Sequence, residues 1–256
     1  MKIAVCIKFV PETENPRMDI NNNLVREGVT HMVNIADEAA LETALKLRGC
    51  GSVTILTMGT LSCREALRSL LARGADDAVL LSDSCFAGAD TYITALTLSR
   101  AISKMGGFDV ILCGRRAIDG ETGQVPPALA VFCGIPFITN ATSVSYTDGY
   151  LDCSRLLEHG TELLRAPLPA LISVCEYSNS LRLPSIKGMR RAKETQITVM
   201  DHTSLEMDRE ICGLQGSPTR VFRVEKGFHK KRRAQLSFTA AEGARCLEAL
   251  IQEVNR

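Results

Sequence analysis

Short, wholly apolar runs rich in β-branched residues alternate with segments of helical period, and this alternation restricts the possible folds more than any other feature. IAVCIKFV (3–10), SVTILTMG (52–59), DAVLLSD (77–83), FDVILCG (108–114) and IPFITN (135–140) read as strands. Between them lie ADEAALETALKLRG (36–49), LSCREALRSLLARG (61–74), DTYITALTLSRAISKMGG (90–107) and a further helix within 122–133. In 36–49, Ala40, Leu41, Ala44, Leu45 and Leu47 recur at spacings of three and four, while Glu38, Glu42 and Lys46 share a polar face. Gly49 and Gly74 stand where helices need a left-handed terminal residue, and Asp90 is placed to cap the third helix. Strands apolar along their whole length belong in a parallel sheet covered on both faces. The expected architecture is therefore a doubly wound, mainly parallel α/β fold of Rossmann-like type over residues 1–200.

Between 143 and 176 the rhythm changes to shorter alternating runs with TDG and EHG as turn signals, which predicts a small antiparallel extension returning to the main sheet through LPALISVCE. Residues 201–256 are more polar, carry KGFHKKRR at 226–233 and close with a helical pattern over 239–254. They hold too little apolar mass to fold alone and are expected to form an arm packed on another chain.

Charge excludes some partners. With 30 basic and 29 acidic residues the formal net charge is +1, so there is no global field to draw in nucleic acid or an anionic membrane. No stretch reaches the roughly 20 apolar residues that span a bilayer, and the N-terminus reads as a first strand, not a signal peptide. The 10 cysteines are scattered, without zinc or iron–sulfur spacing, as expected of reduced thiols in a cytoplasmic protein. Cys113 and Cys175 lie in apolar runs and read as small hydrophobes. His31, His159, His202 and His229 belong to no visible triad or metal pattern, and Asp76 and Asp77 read as solvated surface.

The stretch GRRAIDGETGQVPPALA (114–130) follows a strand and opens a helix. Ligands of open parallel sheets bind beyond the C-terminal ends of the strands, where connections diverge. Gly120 and Gly123 allow close backbone approach, Thr122 offers a hydroxyl, and a helix N-terminus presents unpaired amides, features that suit a phosphate. An ordinary strand-to-helix turn, with Asp119 and Thr122 capping the helix, explains the same residues equally well. Neither GxGxxG after the first strand nor a P-loop is present. Residues 34–37 and TMGT (57–60) fall at the same edge, and three converging loops favour a nucleotide, whose bound cofactor would carry any chemistry.

Several segments in order resemble the β subunit of electron-transfer flavoproteins. They are AVCIKFVPET, NIADEAALETAL, LLARGAD, FAGADT (86–91), DVILCGRRAIDGETGQV and LPSIKGMRRAK (183–193), and they span nearly the whole chain. The resemblance implies a heterodimer with an α subunit that carries the shuttling FAD, and a β-subunit site for either AMP or a second FAD. Carried over residue by residue, that site comprises Cys6, Ile7 and Lys8 on the first strand, Asn34 and Asp37, Met58, and the loop Gly114, Arg115, Arg116, Ala117, Ile118, Asp119, Gly120, Glu121, Thr122, Gly123, Gln124 and Val125. Ile35 and Pro126 depart from the family pattern, standing where proline and glycine are usual.

DGETGQV, together with VREGV and the downstream N-x-x-D, is more similar to the bifurcating and anaerobic branch, which implies FAD, with AMP as the alternative. NADH is then a possible electron donor, and ferredoxin or flavodoxin a possible acceptor in electron bifurcation. Arg115 and Arg116 would supply positive charge to phosphate or reduced flavin. SNSLRLPSIKGMRRAK (178–193) resembles the family's recognition loop for an acyl-CoA or other flavin dehydrogenase, with Leu181, Leu183 and Ile186 as apolar contacts beside Lys187, Arg190 and Arg191. A nucleotide-sensing regulatory protein of the same fold is the competing reading, and an ATP-pyrophosphate-cleaving ligase lacks its SGGxDS-like loop here.

Overall fold

The computed structural model describes residues 1–12, 31–222 and 239–254, so VREGV and KGFHKKRR lie outside the described residues. The chain divides into two compact units, 1–222 and 223–256. In the first, nine strands form one sheet in the order β11-β5-β4-β1-β6-β10-β7-β8-β9. These are β1 (Lys2–Cys6), β4 (Ser52–Met58), β5 (Asp77–Leu81), β6 (Val110–Gly114), β7 (Phe137–Thr147), β8 (Tyr150–Leu157), β9 (Gly160–Pro167), β10 (Ala170–Val174) and β11 (Thr198–Met200). All neighbours run parallel except the β7–β8 and β8–β9 pairs, which form the antiparallel extension through turns at TDG and EHG. Two short strands, β2 (Phe9–Pro11) and β3 (His31–Val33), pair separately.

The first apolar run is thus not one strand. β1 ends at Cys6, the amide of Lys8 turns to the side chain of Asp37 (2.7 Å), and the chain re-enters extended structure only at Phe9. Of the three residues placed on the first strand by sequence, Cys6 alone lies on it, and Ile7 and Lys8 form the bend beyond it.

The helices of this unit are α1 (Ile35–Leu47), α2 (Cys63–Ala72), α3 (Thr91–Lys104), α4 (Val125–Cys133), α5 (Ile186–Glu194) and the single turn α6 (Gly213–Gly216). Strand side chains alternate between faces, and so does the core. Ile3, Val5, Val53 and Ile55 pack with Leu41 of α1, Leu71 of α2 and Ala192 of α5. Ala4, Leu56 and Ile111 pack with Leu98 of α3 and Leu129 of α4. Helices therefore cover both faces, and burial of large side chains such as Leu41 is worth about 2–5 kcal/mol each against truncation to alanine. Residues 201–222 lie on this unit, with Leu205, Met207 and Cys212 buried on the α3 and α4 side. Asp90 caps α3 by accepting the amide of Ile93 at 3.0 Å. Gly49 (φ 57°) and Gly74 (φ 128°) both adopt the positive φ that favours glycine, as expected of them at the helix ends.

The second unit contains α7 (Ala240–Val254), opened by Thr239, whose hydroxyl accepts the amide of Glu242 at 3.2 Å and donates to the Glu242 carboxylate at 2.9 Å. No helix among the described residues is long and apolar enough to cross a membrane.

Candidate functional site

The strand order reverses at β1. The chain first builds outward through β4 and β5, then crosses back to β6 on the other side of β1, leaving a switch point at the C-terminal ends of β1 and β6. The candidate residues meet there. Asp37, in the first turn of α1, accepts the amide of Lys8 at 2.7 Å and that of Gly114 at 3.0 Å, so one carboxylate ties the exits of both strands to the start of the helix. Gly114 admits no side chain, because a Cβ would lie 2.2 Å from Asp37 Oδ1 and 2.8 Å from the carbonyl carbon of Ala36. Burial pushes Asp37 from its ordinary 3.8 up to about 7 against the opposing pull of these amides, of Asn34 and of Lys8.

Asn34 does not cap α1 with its side chain. It is 1% exposed and reaches across to the loop after β6, donating Nδ2 to Arg116 O at 2.9 Å and accepting the amide of Ile118 at 3.2 Å. Lys8 Nζ meets Asp119 at 2.7 Å. The thiol of Cys6 hydrogen bonds to that of its β6 neighbour Cys113, and this contact, with burial, raises Cys113 well above the ordinary thiol range. The Cys113 thiol therefore stays neutral. Met58 ends β4, two strands from β6.

Asp119 is engaged by Lys8 and does not cap α4, whose N-cap, Gln124, makes no side-chain cap hydrogen bond. The Gln124 side chain instead accepts the hydroxyl of Thr91 at 2.9 Å. Among the described residues no hydrogen bond uses the amides of Thr122, Gly123 or Gln124. Gly120, Glu121 and Thr122 are exposed, with Glu121 (φ 51°) and Gly123 (φ 62°) in the left-handed region. An open loop with free donors, entering a helix without a side-chain cap, is suited to an anionic group.

Glu176, just beyond β10, was not singled out by the sequence although LISVCE places it beside β6. It accepts from Arg115 at 2.9 Å and from Arg116 at 3.3 Å. Both arginines are thus held in place, and Arg115 Nε is buried with no hydrogen-bond partner among the described residues. That orphaned donor, the free amides and the Thr122 hydroxyl fit a phosphate-bearing nucleotide.

The 178–193 candidates separate into two groups. Leu183 (82% exposed), Ile186 (71%), Lys187 and Arg190 face outward. Leu181 packs partly against the core, and Arg191 turns inward to Asp76 (3.1 Å) and the carbonyls of Leu71 and Ala75. Asp76 is correspondingly not solvated surface, since it also accepts from Arg48 and from the amide of Val53. His202, isolated in sequence, lies 2.6 Å from Asp83.

A family model described as the electron transfer flavoprotein domain matches residues 22–205. The chain belongs to the electron transfer flavoprotein family. It is 43% identical over 225 residues to the electron transfer flavoprotein subunit beta of Thermoanaerobacterium thermosaccharolyticum, covering 86% of each chain. It is 39% identical over 227 residues to the caffeyl-CoA reductase-Etf complex subunit CarD of Acetobacterium woodii, covering 87% of each. Protein FixA of Sinorhizobium fredii is 39% identical over 235 residues, which are 88% of this chain and 82% of that protein. The electron-transfer flavoprotein relationship read from the motifs is thus borne out across the chain.

Proposed function

We propose that this chain is the β subunit of a heterodimeric electron-transfer flavoprotein and that the crevice between β1 and β6 binds FAD. The observation that carries this reading is the start of α4: no side-chain cap and, among the described residues, free amides at residues 122–124, in the same loop as the unpartnered Arg115 Nε. Thr122 and the loop amides would hold phosphate, while Arg115 and Arg116, steadied by Glu176, would offset its charge. Asn34 and Asp37 set the loop's distance from β1. FAD held there by these residues would supply the redox chemistry, with NADH or a dehydrogenase as electron source and, as partners, the α subunit and, in a bifurcating complex, ferredoxin or flavodoxin. Of residues 201–256, expected from the sequence to form the arm toward the α subunit, 201–222 lie on the sheet unit, so 223–256 would serve as that arm, the exposed part of 178–193 as the dehydrogenase contact, and the cytoplasm as the location. The second reading, structural AMP, is supported by the same phosphate donors, which do not distinguish the two nucleotides.

Gly123→Asp tests the site. Aspartate tolerates positive φ and would place a carboxylate in the phosphate cradle. In the complex with the α subunit, flavin absorbance should fall by about half relative to the unaltered complex, one of two bound flavins being lost. Loss of AMP with full flavin absorbance favours the second reading, and retention of all bound nucleotide overturns the assignment of this loop.

A further inference from the structure

At the C-terminal end of β5 a cluster forms that the nucleotide crevice does not use. Asp83 precedes a single 3-10 turn over Ser84–Phe86 and accepts the amide of Cys85 on Oδ1 at 3.0 Å. Its Oδ2 faces the ring Nδ1 of His202 at 2.6 Å and accepts that residue's amide at 3.3 Å. A carboxylate oxygen of Asp83, the Sγ of Cys85 and a ring nitrogen of His202 all lie within 4.8 Å of one another. The side chains of Asp83 and His202 are 9% and 19% exposed, respectively. Cys212, whose thiol donates to the carbonyl of Asp208 at 3.2 Å, lies close to Cys85 and brings a second sulfur to the same neighbourhood. Asp83 and Cys85 lie more than a hundred positions from His202 and Cys212 in the chain, so no motif spacing could have revealed the cluster.

We propose that Asp83, Cys85 and His202 bind a zinc-class divalent cation, with Cys212 the nearest donor for the fourth position. One carboxylate, one imidazole and two sulfurs form a donor set that a tetrahedral ion of borderline softness accepts. Two ligands about 2.0–2.1 Å from a tetrahedral ion stand about 3.3 Å apart, so the Asp83 and His202 atoms need separate only slightly to admit it. The ion replaces the proton shared between Oδ2 and Nδ1, and the Cys85 thiol releases its proton to solvent. The Nε2 of His202 then carries the ring proton, with the Thr203 hydroxyl 3.4 Å away to accept it. Arg209, which donates to Nε2 at 3.3 Å without the ion, is exposed and free to turn aside. The site would clasp the end of β5 to residues 201–212, whose Leu205 and Met207 are already buried on the same sheet face.

The test uses the full-length chain, stripped with a chelator and titrated with Zn2+ in competition with a chromophoric chelator, then separately with Co2+. The expected result is one zinc per chain, a higher thermal midpoint with zinc than without, and visible cobalt bands with a near-ultraviolet thiolate-to-cobalt transition. Cys85→Ser and His202→Asn, each checked for native circular dichroism, should weaken binding at least about tenfold, and Cys85→Ser should also lose the thiolate transition. Cys50→Ser, at an exposed cysteine elsewhere, should change neither. Failure of the unaltered chain to bind stoichiometric metal overturns the proposal, as does unchanged zinc and cobalt binding in Cys85→Ser. If Cys85→Ser does not fold, unchanged binding in His202→Asn is decisive against it.

Discussion

Gly114 and Asp37 carry opposite demands at one contact: the first must have no side chain so that the second can reach two amides. Gly114→Ala would drive a methyl into Asp37 Oδ1 and the backbone of Ala36, moving the start of α1 away from β6. A loss of about 1–3 kcal/mol in urea unfolding is expected, as for other overpacked sites, together with weaker nucleotide retention. Asp37 binds its proton more tightly in the folded chain than its ordinary 3.8 allows, with a value near 7. The folded state therefore holds more protons than the unfolded state between about pH 4 and 7, and this group's contribution to stability declines as pH rises through that window. Asp37→Asn should flatten that slope, and by presenting an amide NH2 to one of two N–H donors it should cost about 1–3 kcal/mol near neutral pH. Glu42 works in the other direction. Burial acts to raise it, but hydrogen bonds from the Arg182 side chain (2.9 and 3.0 Å) and amide hold it below its ordinary 4.5, so its contribution is present above that pH and lost as pH falls. At this scale the family resemblance marked Asp37 and Asn34 as belonging to the site but not what Asn34 holds there. Its actual partners, Arg116 and Ile118, are more than eighty residues away, and local pattern carries no signal for them.

Elements announced by uninterrupted periodicity were legible, and those decided by one side-chain contact were not. The helices α1 to α3 and the turns of the antiparallel extension follow from spacing and turn residues. The break after Cys6 does not, because IAVCIKFV is apolar throughout and the bend is imposed by Asp37. In α5, the Ser185 cap, accepting the amide of Gly188 at 2.9 Å, and the inward Arg191 fix the helix, leaving Leu183 and Ile186 as exposed apolar side chains beside Lys187 and Arg190. Sequence alone could not sort these residues, since the partner of Arg191 is Asp76, 115 positions away in the chain. Leu183→Ala should leave folding stability within about 0.5 kcal/mol of the unaltered chain, as at other exposed sites. If this surface docks a dehydrogenase, the same change should slow electron transfer to it about tenfold or more, a hot-spot loss of about 1.4 kcal/mol. The pair of measurements separates docking from folding.

For the whole molecule, alternating apolar runs dictated a parallel sheet wound on both faces, and the sheet order places its switch point between β1 and β6. The electron-transfer flavoprotein relationship and the crevice were thus both readable from the chain, whereas the Glu176 support and the Asp83–His202 pairing arise only when distant loops meet. The central claim is that this crevice holds FAD. Its most direct test is to purify the chain with its α subunit, release the bound nucleotides with acid and count them by chromatography. Two FAD per heterodimer is the predicted result; one FAD with one AMP, or one FAD alone, would contradict it.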